Sequence, residues 1–264
     1  MHDALSIAAT GMQAQQLNVD TIANNLVNVN TPGFKKGRVT FTDLMTSEAS
    51  RMNLGEANLE TDGASLVPRL GAGVGITRVG KLFDAGTISQ TGSSWDLAIQ
   101  GEGFIPVALA DGTTGYSRGG TLKVNSEGLL TTQTGQAMKP SITIPAAATG
   151  VTISSDGQVL VTVPNQSTPV HAGQLQLVRF SNAAALVPQG DGLYRAGVET
   201  GEAITAYAGQ DGLGSFQQGF LEGSNVKMVD EMVNLMVAQR TYEASVKVAQ
   251  ASDEMQGLIN NLRK

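Results

Sequence analysis

The stretch of this 264-residue chain that comes nearest to a catalytic motif is Gly75-Ile76-Thr77-Arg78-Val79-Gly80-Lys81-Leu82. It departs in one place from the phosphate-binding loop G-x-x-x-x-G-K-[ST], where backbone N–H groups cradle the phosphates and the last hydroxyl holds Mg²⁺. Leu82 stands where that hydroxyl belongs. Such a loop must also open a helix, whose N-terminus binds the anion. The residues that follow, LFDAGTISQTG, have no helical period, so the segment reads as a twisted strand with glycine bends. The neighbouring Gly71-Ala72-Gly73-Val74-Gly75 fails the dinucleotide pattern G-x-G-x-x-G, since Ile76 occupies its sixth place. A Ser-His-Asp triad would have to use His2 or His171, the two histidines present, and no G-x-S-x-G elbow occurs. Cysteine is absent, which removes disulfides, thiolate metal sites and Cys nucleophiles together. A glycosidase needs only two carboxylates, but no acidic pair lies in an aromatic-rich context suited to a sugar. The sequence thus assigns no catalytic residue, no metal site and no cofactor, and reads as a non-enzyme.

Composition points the same way. Charged residues make up 15% of the chain, against a usual share of about 25%. A low-charge surface with 5% aromatics suggests that protein rather than water covers much of it. The 32 glycines favour turns and short strands. A net charge of −6 and a pI near 4.9 argue against nucleic acid, which needs a basic footprint. No run of 18 apolar residues spans a membrane. The opening MHDALSIAATGMQAQQ lacks the basic and apolar regions of a secretory signal peptide, so none is expected.

The elements that organise these residues fall into three zones. Near the start, Leu5, Ala8, Met12, Val19, Ile22, Leu26 and Val29 recur in steps of three and four, with Gln15 filling the one gap in the seam. Asn18, Asn24, Asn25 and Asn28 weaken this helix on its own, so it is expected to form only when packed. Thr31-Pro32-Gly33 stops it. Near the end, Met228, Met232, Leu235, Gln239, Tyr242 and Val246 repeat the seam, with Ser224 or Asn225 as cap and Glu243–Lys247 as a supporting i,i+4 pair. Val226 to Ala238 carries nine apolar residues in thirteen, including Val229 and Met236, which one partner helix cannot cover. After Ala249 the seam breaks; Met255, Leu258 and Ile259 resume out of register. Gln15 and Gln239 admit two readings, as tolerated polar positions or as groups that set register.

Between the helices, alternating residues such as Ile105, Val107, Leu109 and Val159, Val161, Val163, with Ile142 and Ile144 further along, are separated by turn signals at Asp111-Gly112, Glu127-Gly128, Asp156-Gly157 and Asp191-Gly192. They predict short strands in a barrel-like or sandwich arrangement. The fold expected is mainly β with terminal α. A discontinuous coiled-coil-like helical domain comes from both chain ends, a central all-β domain lies between, and an extended linker with an insertion connects them. The expected bounds are 1–32 for the first helix, 33–95 for a connector with a polar insertion at about 46–67, and 96–205 for the β domain. A return connector at 206–223 and a second helix at 224–264, packing on 1–32, complete the scheme.

Three separated stretches resemble one family. ANNLVNVNTPGFKKGR (23–38), DLAIQGEGFIPVALADGTTGYSRGG (96–120) and GSNVKMVDEMVNLMVAQRTYEASVKV (223–248) look like the N-terminal, central and C-terminal signatures of the flagellar axial proteins, the rod and hook subunits. Length, the polar insertion followed by LGAGVGI, and the runs PSITIPAAATGVTISSDGQVLV and GFLEGSNV resemble the distal rod position; a proximal rod or hook subunit is the alternative. Pro106 and the tail to Lys264 depart from the pattern. The resemblance implies a self-assembling helical polymer that carries torque from motor to hook. It also implies export through the flagellar type III apparatus and a place in the basal-body rod. Its partners would be copies of the chain, proximal rod proteins, hook protein and the surrounding P-ring and L-ring proteins, with no nucleic acid. The subunit interface expected on these grounds comprises Leu5, Met12, Val19, Ile22, Leu26, Val29, Met228, Val229, Met232, Leu235, Met236, Tyr242 and Val246, with Gln15 and Gln239 as possible register-setting residues.

Overall fold

A computed structural model describes residues 2–46, 70–164 and 168–262. The chain is mostly β with a helix at each end. It divides into two compact units: one drawn from Met1–Leu26, Gly37–Val79 and Met228–Lys264, the other from Val27–Lys36 and Gly80–Lys227. No helix among the described residues is long and apolar enough to cross a membrane.

The helical unit holds α1 (His2–Val27), α2 (Met228–Leu262) and the paired strands β1 (Gly37–Thr46) and β2 (Leu70–Lys81, within this unit to Val79). Two contacts fix how α1 meets α2. The Asn25 amide donates to the Glu231 carboxylate at 3.1 Å, and a Cβ on Gly11 would lie 3.7 Å from the Ser245 hydroxyl. Going back from Asn25 to Gly11 covers the same number of residues as going forward from Glu231 to Ser245, so both contacts belong to one antiparallel register. Small side chains allow the close approach: the buried positions include Ala8 and Ala14 on α1, and Ala238 and Ser252 on α2.

The twisted strand read at 75–82, within the segment 33–95 expected as a connector, belongs to β2, which begins at Leu70. Its glycines are places of close approach. At Gly73, with φ 117°, a Cβ would collide with the Thr10 hydroxyl of α1, which accepts from the Val74 N–H at 3.4 Å. The strand also explains the near-match to a phosphate loop, whose Gly80-Lys81 falls at the strand's end and is followed by no helix. The insertion expected at 46–67 lies, beyond Thr46, outside the described residues. The second helix starts at Met228 rather than 224; Ser224 accepts the Val226 N–H at 3.3 Å, and the Asn225 side chain bonds elsewhere, as described below. Glu243 pairs with Arg240 at 3.2 Å rather than with Lys247.

The β unit contains β3 (Ile88–Gln90), β4 (Asp96–Gln100), β5 (Ile105–Ala108), β6 (Thr114–Ser117), β7 (Gly119–Val124), β8 (Leu130–Thr132), β9 (Gly150–Ile153), β10 (Gln158–Thr162), β11 (Val170–Gln174), β12 (Gln176–Phe180), β13 (Val187–Gly190), β14 (Leu193–Arg195), β15 (Ala203–Tyr207), β16 (Ser215–Gln218) and β17 (Phe220–Glu222). Two four-stranded sheets, ordered β16-β4-β7-β8 and β13-β14-β6-β5, are joined by the three-stranded β11-β10-β9 and the pairs β12-β15 and β17-β3. The pairs described are antiparallel, as β-hairpins require. Gly112, Gly128, Gly157 and Gly192 all take positive φ at the turns foreseen for them.

Three differences from the sequence reading have physical causes. Leu109 falls outside β5, since its N–H turns back to the Thr113 carbonyl to close the hairpin. Ile142 and Ile144 are buried without belonging to a strand; they join the sheet through single bonds such as Leu130 N–H to the Ile142 carbonyl. Segments read as connectors carry β3, β16 and β17, whose polar residues hide the strand period. The main core is Leu97, Ile99, Ile105, Leu130, Met138, Val159, Val161, Leu175 and Leu177 with their neighbours. A smaller aromatic cluster joins Phe104, Tyr116, Phe180 and Tyr194, with Phe83 edge-on to Phe104 and Tyr194 at 5.0 Å each.

Candidate assembly faces and a buried ion cluster

Ordinary surface helices turn apolar residues inward and polar ones outward. α2 does the reverse over its first turns. Met228, Val229, Met232, Val233, Met236 and Val237 are exposed, Val229 to 72%, while Glu231 is fully buried and Ala238 nearly so. The six exposed residues spread over more than one stripe of the helix. Such a surface in water forfeits about 1.5–3 kcal/mol for each large apolar side chain that could be fully buried.

Of the other expected interface residues, Ile22 is buried and Leu5, Met12, Val19 and Leu26 are half-buried on α1; Val29 follows the helix end. Leu235 and Val246 are half-buried and Tyr242 exposed. Gln15 is half-buried and accepts from Asn18 at 3.4 Å, whereas Gln239 is exposed. Asn25 and Glu231 make a polar contact between the two helices. Asn25 is buried and exchanges hydrogen bonds with the backbone of Gly37, accepting its N–H at 2.7 Å and donating to its carbonyl at 2.9 Å. One side chain thereby binds α1, the start of β1 and the first turn of α2.

The β unit holds a second constellation that the sequence reading missed. Lys35, Arg118 and Glu222 are buried together. The Lys35 ammonium donates to Glu222 Oε1 at 2.7 Å and to the Asp84 carbonyl at 2.8 Å. Arg118 Nε donates to Glu222 Oε2 at 3.1 Å; its Nη1 donates to the Gly103 carbonyl at 2.7 Å and its Nη2 to the Gly101 carbonyl. Glu222 Oε1 also accepts the Gly86 N–H at 2.8 Å. Two cations therefore share one carboxylate, and backbone carbonyl dipoles balance the surplus positive charge. Glycine is needed where those carbonyls turn in: at Gly101, φ 111°, a Cβ would stand 2.8 Å from Gly214 Cα.

Around this cluster Asn225 accepts the Lys36 N–H at 2.7 Å and donates to the Leu82 and Asp84 carbonyls at 2.8 and 3.2 Å. The Lys81 ammonium donates to the Lys35 carbonyl at 2.9 Å and sits 4.3 Å from the centre of the Phe34 ring. Burial pushes the Lys35 ammonium below the ordinary lysine range, and Glu222 beside it opposes that shift. Burial also pushes the Tyr194 phenol up to about 12, with Glu222 adding to the effect and Arg118 opposing it. Lone buried charges are expensive, so the worth of such a cluster lies in every member being bonded. The three stretches that carry the family resemblance meet here: Lys35 from the first, Gly101, Gly103 and Arg118 from the second, Asn225 from the third, with Glu222 beside it.

Comparison with known proteins places these stretches in a family. Residues 5–35 match the model for "Flagella basal body rod protein", 98–161 that for "Flagellar hook protein FlgE/F/G D1 domain", and 217–262 that for "Flagellar basal body rod FlgEFG protein C-terminal". The flagellar basal-body rod protein FlgG of Borreliella burgdorferi is 41% identical over 100% of both chains. FlgG of Caulobacter vibrioides is 40% identical over 98% of this chain and 99% of its own. FlgF of the same organism, also a flagellar basal-body rod protein, is 32% identical over 97% of this chain and 95% of its own. On these full-length likenesses, the chain belongs to the flagellar basal-body rod protein family of axial proteins and takes its place in the basal-body rod of the flagellum.

Proposed function

We propose that this chain is the structural subunit of the distal rod, and that copies of it assemble into the tubular shaft that passes torque from motor to hook. The observation that carries the assembly is the outward apolar face of α2, Met228 to Val237, which the lone chain leaves in water. In the polymer, α1 and α2 pair as a coiled-coil-like domain, and that face packs on neighbouring copies. Met228, Val229, Met232 and Met236 make the outer contacts; Leu235 and Val246, with Ile22, Leu26 and Val19 of α1, line the seam beneath. Gln15, which accepts from Asn18, and the exposed Gln239 set register in this reading through contacts with a neighbouring copy.

The distal position is supported by the higher identity to FlgG than to FlgF when both come from one organism. A proximal rod subunit is the second reading, and the likeness to FlgF is what favours it. The remaining partners in this reading are the proximal rod and hook proteins, the ring proteins around the shaft and the flagellar type III export apparatus. The test is removal of the gene followed by isolation of basal bodies. A distal rod subunit leaves basal bodies with a short rod and no hook, and complementation restores both. Basal bodies with no rod at all would instead assign the proximal position.

A further inference from the structure

One stretch of chain runs through both four-stranded sheets, as β6 passes through Arg118 into β7. Along one side it is paired by β5 and then β4. Along the other, β14 pairs as far as Ser117, opposite Leu193, and β8 takes over only at Leu122, opposite Thr132. Among the described residues Arg118 to Thr121 have no strand on that side, a gap of about 14 Å at the usual rise per residue. The gap opens on a cavity of about 540 Å³ whose walls include Gly119–Leu122, Thr132–Thr134 and Asp191–Tyr194, the strand ends on either side. Leu122 donates its N–H to the Trp95 carbonyl at 2.7 Å, on the β4 side. Backbone groups alternate sides along a strand, so those of Thr121 face the gap. A Cβ at Gly33, Gly120, Gly190 or Gly192, all on the lining, would meet nothing within 4 Å. The walls thus present bare backbone, where another chain can come close.

Donors and positive charge are in excess there. The Lys81 ammonium, on the lining, gives one hydrogen bond, to the Lys35 carbonyl, although an ammonium carries three donors. The buried Tyr194 phenol, also on the lining, has no hydrogen-bond partner among the described residues. Arg118, on the lining too, shares the Glu222 carboxylate with Lys35, which leaves positive charge in surplus. The carboxylate on the lining is that of the exposed Asp191. We propose that this gap is a docking site for an extended, acidic segment of a different protein, which adds the missing stretch of strand and sets a carboxylate against Lys81. The segment runs antiparallel to β7, in the direction shared by β8 and β14, and joins their ends. Strand addition draws affinity from backbone bonds and specificity from side chains, and a carboxylate bonded to an ammonium is the stronger kind of polar contact. A second copy of this chain is a poor donor, because every strand among its described residues already lies in a sheet and both ends are helical. The site lies within the β unit and depends neither on α2 nor on the polymer reading.

The test uses the full chain and two fluorescein-labelled peptides, acetyl-Thr-Val-Glu-Val-Thr-amide and the same peptide with lysine in place of glutamate. Fluorescence anisotropy gives the affinity, and amide hydrogen exchange gives the place. The glutamate peptide is expected to bind about tenfold more tightly than the lysine peptide and to slow exchange at residues 118–122. Lys81→Met keeps most of the stem and loses the charge; it is expected to make the two peptides bind alike. Asp191→Asn, at an exposed turn, is expected to tighten the glutamate peptide about twofold. Absence of binding at about 1 mM peptide, equal affinity of the two peptides for the parent chain, or protection confined to residues outside 118–122 overturns the proposal. So does a preference for glutamate that survives Lys81→Met. Slow exchange at 118–122 that sets in with rising protein concentration and no peptide would give the gap to a second copy and overturn the choice of partner. Should circular dichroism show Lys81→Met unfolded, the peptide pair on the parent chain and on Asp191→Asn decides alone.

Discussion

In the β unit, apolar side chains such as Leu97, Val159 and Leu177 are fully buried, and the buried Lys35, Arg118 and Glu222 are paired with one another. Along α2 the arrangement is inverted, with methionines and valines in water and a glutamate, an alanine and a serine inside. A free-standing domain gains its stability by burying apolar surface within itself. A segment that leaves such surface outside while packing small and polar groups inward gains little by itself and much on association. The two units thus differ in kind: the β unit buries its apolar side chains within itself, and the helical unit leaves along α2 the apolar surface that the proposed assembly would cover.

The sharpest way to break the comparison is to damage the β unit from inside. Glu222→Ala leaves the Lys35 ammonium and the Arg118 guanidinium buried with no anion. Removing one partner of a buried pair destabilises by about 3–5 kcal/mol, and here two cations lose the same partner. Urea denaturation followed by circular dichroism should show the strand transition shifted by at least that amount, with α1 and α2 unaffected in kind. A variant as stable as the parent chain would mean that water reaches the cluster and that the β unit does not depend on it.

A smaller effect is read from pH. The Tyr194 phenol is held up to about 12 in the folded chain, against 10.0 in an unfolded one. Between those values the unfolded chain has lost the proton and the folded chain keeps it, so the unfolded state binds fewer protons and stability falls as pH rises. The loss reaches about 2–3 kcal/mol by pH 12. Lys35 acts oppositely, because its folded pKa lies below the ordinary 10.5. Below 10.5 the unfolded chain binds more protons, and that contribution to stability climbs with pH until the unfolded lysine has titrated. Tyr194→Phe should therefore reduce the fall between pH 10 and 12, leaving the part due to the Tyr116 phenol, which burial also raises, and should keep the lower-pH rise in place. Equal slopes in both proteins above pH 10 would place the phenol in contact with water.

Much of the β unit is legible in the sequence because its signals are local. A turn dipeptide such as Asp156-Gly157 and the alternation of Val159 and Val161 specify a hairpin within a dozen residues. The ion cluster is not legible in that way. Lys35, Arg118 and Glu222 are far apart in the chain, and nothing in the residue types says that the first lysine of Phe34-Lys35-Lys36 is buried. Position was the available signal: each lies in or beside a stretch that resembles the family, in a chain with few charges to spare. The seam of α2 was legible as a period but not as a direction. Met228, Met232 and Tyr242 keep the heptad spacing, yet the line that turns inward passes through Glu231, Ala238 and Ser245, where Asn25 and Gly11 of α1 meet α2. Asn25 read as a weak helix former is in fact the residue that joins three elements.

The smallest effect on the lone subunit is also the most discriminating. Met236 is 57% exposed, so Met236→Ser removes little buried surface. Substitutions at such positions change stability by within about 0.5 kcal/mol, and both the urea midpoint and the melting temperature of the lone subunit should be nearly those of the parent chain. In the proposed polymer the same side chain would be buried in every subunit, and each contact would lose roughly the 1.5–3 kcal/mol that full burial of a methionine is worth. Because every added subunit meets that loss, it enters the elongation equilibrium directly and should raise the polymerising concentration by tenfold or more. Motility should fail while the monomer remains folded. A Leu177→Ala chain should behave in the opposite sense, with a lowered melting temperature from a core loss of about 2–5 kcal/mol and an outer face of α2 that is chemically intact. If Met236→Ser lowered the subunit's melting temperature as much as Leu177→Ala does, the outer side of α2 would be covered within the chain in solution, and the division between a self-sufficient β unit and an association-dependent helical unit would not hold.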